Sequence, residues 1–64
     1  MDSARRALRV ADHDRQAVLR RLHRAVGEGR LTIVEFEERS ADALAARTRG
    51  DLDDLTADLP PDLW

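Results

Sequence analysis

The stretch Gly29-Arg30-Leu31-Thr32-Ile33-Val34-Glu35-Phe36 constrains what this chain can fold into more than any other. Gly29 can take the left-handed conformation that closes a helix. Thr32 reads as the N-cap of the next helix and Glu35 as its N3 partner, the reciprocal Ser/Thr-x-x-Glu capping box. Leu31 at N′ and Phe36 at N4 occupy the two positions of a hydrophobic staple. One helix therefore ends, and the next begins, within a few residues. All of these signals concern folding, and nothing else in the chain is a chemical signature.

Around this hairpin the sequence predicts an all-α fold, a small three-helix bundle with helices at about 12–28, 33–47 and 49–58. Asp12 is a better N-cap than Ala11, and Asp12 and Asp14 suit the positive end of the first helix. Thr48-x-x-Asp51 repeats the capping pattern with Asp in place of Glu. Gly50 costs the third helix about 1 kcal/mol relative to Ala. Pro60-Pro61 ends it, because a proline disfavours helix in the residue before it. Residues 1–10 read as an Arg-rich arm, frayed or disordered, residues 11–60 as the helical domain and 61–64 as a tail. In that tail, Trp64 is expected either to tuck onto the bundle or to begin a further segment. No run of residues alternates as a strand would.

At about 100° per residue, one apolar stripe gathers Val18, Leu19, Leu22 and Val26 on the first helix. Ile33, Phe36, Ser40, Ala43 and Leu44 gather on the second, and Leu52, Leu55 and Leu59 on the third. Two arginines fall inside these stripes, Arg15 on the first helix and Arg47 on the second. An isolated buried charge is costly, so each should find a carboxylate or snorkel past the core edge. Asp58, Asp51 and Glu37 are the candidate partners. Structural ion pairs locking helix ends together are expected rather than a ligand site.

Sixty-four residues without cysteine exclude disulfide staples and thiolate metal sites, so caps, packing or a partner must supply stability. His13 and His23 read as surface residues, and no metal or cofactor is expected. Catalysis is not expected either. Thr32 and Thr48 read as caps, Ser40 as a small core contact, and a bundle this small offers little concave volume. Gly27-x-Gly29 follows a helix rather than a strand and fails as a phosphate-binding motif. There is no secretory leader pattern and no apolar run long enough to span a membrane, so the chain is expected to be cytoplasmic.

Charge is split along the chain. Residues 1–30 hold eight Arg against four acids, +4; residues 31–64 hold three Arg against nine acids, −6. Arg20, Arg21 and Arg24 form a candidate interaction surface on the first helix, which Arg5, Arg6 and Arg9 could extend. Glu38 and Asp42, with Glu35 and Glu37, make the second helix acidic. That acidity argues against a DNA-reading helix–turn–helix, whose second helix would enter the major groove. A protein partner or a second copy of the chain is expected. Nucleic acid is the weaker expectation. Membrane contact would come through a segment outside this chain or weakly by surface charge.

Several pieces occur together: Arg9-Val10-Ala11-Asp12-His13-Asp14-Arg15; Leu22; Gly29-Arg30-Leu31-Thr32 with Glu35-Phe36 and Arg39; Ala46-Arg47-Thr48 with Leu52; and Asp58-Leu59-Pro60. In this order the chain resembles the DUF1707 family, small SHOCT-like helical domains of actinobacterial proteins. Ala11 departs from the Ser or Gly usual there, which implies a weaker cap on the first helix. The resemblance implies a domain near the N-terminus of a longer protein, often followed by transmembrane segments, with no established biochemical role. Arg15, Arg47 and Asp58 all fall within the resembling pieces. The sharpest expectation is that Arg15 or Arg47 pairs with Asp58 and pins the third helix onto the hairpin.

Overall fold

Side-chain capping fixes where the helices that follow Thr32 and Thr48 begin. The computed structural model describes residues 2–61 and holds helices α1 (Asp2–Arg6), α2 (Asp12–Gly27), α3 (Ile33–Ala45) and α4 (Arg49–Leu55). The described residues form no strand, only an isolated antiparallel bridge between Arg9 and Thr48. The two roles considered for Trp64 lie outside the described residues.

The α2–α3 turn forms as its sequence dictates. Gly29 takes φ 77°. The Arg30 and Gly29 amides donate to the carbonyls of Ala25 and Val26 at 2.8 and 3.0 Å, closing α2 in a Schellman motif. Thr32 Oγ1 accepts the Glu35 amide at 3.1 Å, and Glu35 Oε1 accepts the Thr32 amide at 2.9 Å. Both halves of the box are made. The same holds at α4, where Thr48 Oγ1 accepts the Asp51 amide and Asp51 Oδ2 accepts the Thr48 amide.

The hairpin of α2 and α3 carries the core, α4 packs against α3, and α1 packs against α4. Leu22 and Leu52 are the largest fully buried side chains, joined by Val18, Ala25, Leu31, Ala43 and Ala46. Leu31 is buried and Phe36 packs against this cluster, as a staple requires.

The last helix stops at Leu55 rather than near residue 58, because Thr56 leaves helical geometry at φ −123° well before Pro60, and four further expectations need correction. The bundle has a fourth helix, inside the segment read as a frayed or disordered arm. Arg5 pairs with Asp53, and Arg6 reaches both oxygens of Asp54 at 2.9 and 3.0 Å, so α1 is held on α4 by charge. The bridge adds Val10 N–H to Arg47 O at 3.0 Å and Arg49 N–H to Leu8 O at 2.8 Å. These partners lie some forty residues away in sequence, beyond any local signal. Gly50 explains its own cost here. It is buried, and a Cβ at that position would stand 3.1 Å from the Cβ of Arg6.

Second, the N-cap of α2 is Ala11, not Asp12. With no side-chain acceptor on Ala11, half the box survives, Asp14 Oδ2 accepting the Ala11 amide at 2.9 Å. Third, α3 ends at Ala45 because Ala46 turns to extended geometry, φ −65° and ψ 141°. Arg47 thereby leaves the apolar stripe and is exposed. Fourth, Ile33 and Leu44 do not belong to the core; they are 60% and 61% exposed.

Candidate interaction face

Of the six arginines that looked like a surface patch, Arg5, Arg6 and Arg21 are used inside the fold, and so are Arg15, Arg39 and Arg49, which lie outside that patch. Arg15 is half-buried; its guanidinium donates to Ala46 O at 2.7 Å and to Asp12 Oδ1 at 3.0 Å. It thus crosses from α2 to the chain leaving α3. Arg21 donates to Thr56 Oγ1 at 3.2 Å and to Pro60 O at 2.8 Å, fixing the turn that follows α4. Arg39 holds Asp58 with both nitrogens, at 2.7 and 2.9 Å, and also gives Nη1 to Leu55 O at 3.0 Å. Arg49 reaches Asp14 Oδ1 at 3.1 Å, tying the start of α4 to the start of α2. Guanidinium suits these tasks because its planar fork serves a carbonyl and a carboxylate at once.

Asp58 is therefore clamped, but by Arg39, and the expected partners Arg15 and Arg47 do other things. A helical projection does not single out Arg39, which sits on the flank of α3 rather than inside the apolar stripe. Its only signal was its place in the Glu-Phe-x-x-Arg piece. Gly29, Thr32, Glu35 and Phe36 have the structural roles expected of them.

These contacts make several carboxyls more acidic. The Asp58 carboxyl is held below its ordinary value by the hydrogen bond from Arg39 and by that residue's charge. Asp54 is lowered likewise by Arg6. Asp14 is lowered first by the Ala11 amide and then by Arg49. Asp51 is lowered by the amides of Arg47 and Thr48. A carboxyl with a depressed folded pKa binds fewer protons folded than unfolded in the acid range, so stability rises with pH there. The stabilisation is complete above the unfolded carboxyl value of about 3.9 and lost as pH falls through the folded values. The thermal midpoint is expected to be lower at about pH 3 than at about pH 5. A midpoint unchanged between them in a thermal circular-dichroism melt would contradict this assignment.

With the staples accounted for, one face stands out. Between α2 and α3 runs an open groove formed by Leu19 and His23 on one side and Phe36, Ser40 and Leu44 on the other, and no residue of α4 lines it. The rings of His23 and Phe36 meet edge to face across it, centroids 5.9 Å apart. Ser40 Oγ is buried without a hydrogen-bond partner among the described residues. The apolar surface continues onto the outside of α3, where Ile33, Val34 and Leu44 are each at least 60% exposed and Ala41 and Ala45 are exposed between them. Adjacent Ile33 and Val34 carried the signal for this face. They stand about 100° apart on a helix, so a narrow core stripe cannot take both.

Arg20 and Arg24 border the groove on the α2 side. Glu38 and Asp42 are exposed on α3 beyond its apolar stripe. The structure thus brings four of the five candidate interaction residues to the two margins of one apolar face. It sends Arg21, the fifth, to the C-terminal turn. Among the described residues, no group of three or more His, Asp or Glu is placed to hold a metal ion.

A capped helical hairpin, stapled by arginines and open on one apolar side, defines a small all-α domain. Its sequence matches the model of the DUF1707 SHOCT-like domain over residues 8–60, and the chain belongs to that family. It is 44% identical over 52 residues to uncharacterized proteins from two strains of Mycobacterium tuberculosis, the match covering 81% of this chain. The chain spans about a quarter of the length of these curated relatives, 26%. No solved structure gives a significant match.

Proposed function

We propose that this domain is a non-enzymatic protein–protein interaction module, self-association included, and that it works through the α2/α3 face. The carrying observation is the exposure of Ile33, Val34 and Leu44, at 60%, 62% and 61%, beside an apolar groove. Soluble monomers keep contiguous apolar surface small unless it is used. The floor of the groove, Leu19 and Phe36, packs on the core, but the side chains of Ile33, Val34 and Leu44 stand largely outside it. Engagement of Arg5, Arg6, Arg15 and Arg21 within the fold shrinks the cationic patch available to nucleic acid or anionic lipid. No helix among the described residues is long and apolar enough to cross a membrane. We place the domain in the cytoplasm, as the head of a longer, membrane-associated bacterial protein.

A photo-crosslinking benzophenone side chain placed at Leu44 in the full-length protein, in cells, tests the reading. A discrete protein adduct is expected from position 44 and none from Ala57, which is exposed beyond α4. No adduct from 44, or equal yields from both positions, would overturn it.

A further inference from the structure

We infer that the occupant of this face is a second copy of the same chain, packed face to face about a two-fold axis running along the hairpin. The inference rests on the interaction reading above and narrows it to one partner. Its ground is the order of charge across the face. Arg20 stands at the α2 margin, the apolar surface lies in the middle, and Glu38 and Asp42 stand at the α3 margin. Such a face is complementary to itself, but in only one of the two ways two hairpins can pack symmetrically.

A two-fold axis across the hairpin would lay the Arg20 margin on the Arg20 margin of the other copy. An axis along the hairpin exchanges the margins, so each α2 lies over the α3 of the other copy and cation faces acid. The helices of each facing pair then run antiparallel, which also opposes their dipoles favourably.

The axial positions agree with this choice. Rotation about an axis along the hairpin preserves each residue's distance from the α2–α3 turn. At a rise of about 1.5 Å per residue, Arg20 lies about 10 Å up α2 from Gly27. On the same scale Glu38 lies about 7 Å and Asp42 about 13 Å up α3 from Ile33, so Arg20 comes to rest between them. Glu37 is the acid that interrupts the apolar stripe of α3, and burying it alone would be costly. It lies about 6 Å from the turn, level with His23 of the other copy at about 6 Å, and close to Arg20. Small Ser40 and Ala41 let the facing helix come close.

Two helices of this length make an interface below the usual stable size of about 1,200 Å². The dimer is therefore weak, with half-association at roughly 10 μM to 1 mM. Analytical ultracentrifugation of the 64-residue chain over that range, paired with charge exchange, is the test. The wild type is expected to sediment as a reversible monomer–dimer mixture. Arg20→Glu alone, and Glu38→Arg with Asp42→Arg alone, should each weaken association by about tenfold or more through like-charge contact. An equimolar mixture of the two variants should restore it, because each pair is then re-formed with its signs exchanged or unchanged. All three positions are exposed, and unchanged circular dichroism verifies that the variants fold. A chain monomeric at 1 mM overturns the inference. If Leu44 still yields an adduct with a different protein, the interaction reading stands without it; if Leu44 yields none, both fall. Association indifferent to the charge reversals, or unrestored in the mixture, also overturns the arrangement.

Discussion

Leu52→Ala is expected to abolish the cooperative unfolding of this domain, or to lower its thermal midpoint by at least about 8 °C. Leu52 is 0% exposed and lies at the centre of α4. That helix has only seven residues, far below the ~12–15 at which an isolated helix becomes even marginal in water. It is helical because it is docked, and Leu52 is its fully buried anchor. Truncating a buried leucine costs about 2–5 kcal/mol. The whole domain, at about 0.05–0.15 kcal/mol per residue, holds only about 3–10 kcal/mol. The loss should also release α1, whose described ion pairs all end on α4. Leu44→Ala is the matched control. Its side chain is 61% exposed, so in the monomer it should change stability by no more than about 0.5 kcal/mol. Equal effects of the two substitutions in thermal circular dichroism would contradict the division into core and face.

The second large effect is expected at Arg39. Arg39→Ala removes two hydrogen bonds to Asp58 and one to the carbonyl of Leu55, the last residue of α4. Hydrogen bonds involving a charged group contribute about 1.5–3 kcal/mol. Here the loss should fall near the lower end, because the Asp58 side chain is 62% exposed and water screens the pair. Arg39→Lys should recover only part of the loss, since an ammonium cannot hold carboxylate and carbonyl in one planar fork. Asp58→Asn should cost less than Arg39→Ala, because its amide oxygen still accepts from Arg39 and the bond to Leu55 O remains. By contrast Arg47→Ala, at one of the two positions expected to make this clamp, should be close to neutral. Denaturant titrations of the four variants, compared at their midpoints, check this order. A larger loss at Arg47 than at Arg39 would refute the assignment.

The parts of the fold written in short-range chemistry were legible in the sequence. The capping box at Thr32 and Glu35, the left-handed Gly29 and the Thr48–Asp51 box all involve residues within a few positions of each other. The family, too, was legible from these pieces. What was not legible depends on distance. Arg6 finds Asp54 and Arg39 finds Asp58 only once α4 is in place. The end of α3 was overrun by two residues because Ala46 and Arg47 are good helix formers. The chain turns there because Ala46 leaves the helix and its carbonyl accepts from Arg15. The same overrun put Arg47 on an apolar stripe that stops before it. The exposed face was partly legible. The pattern puts Arg20, Arg24, Glu38 and Asp42 on the surface, but it also puts Ile33 and Leu44 in the core, where they are not found. A helical projection shows which residues share a side and not which side is covered.

Isotope-filtered NMR reads the self-complementary face at the level of single residues. An equal mixture of ¹³C-labelled and unlabelled chains at about 1 mM, where a weak dimer is populated, would report only contacts between copies. Methyl groups of Leu44 and Ile33 on the labelled chain are expected to show contacts to Leu19 and His23 of the unlabelled one, with no contacts between copies at α4. Methyl contacts confined within one chain, or contacts between copies made through α4 instead, would contradict self-association through this face.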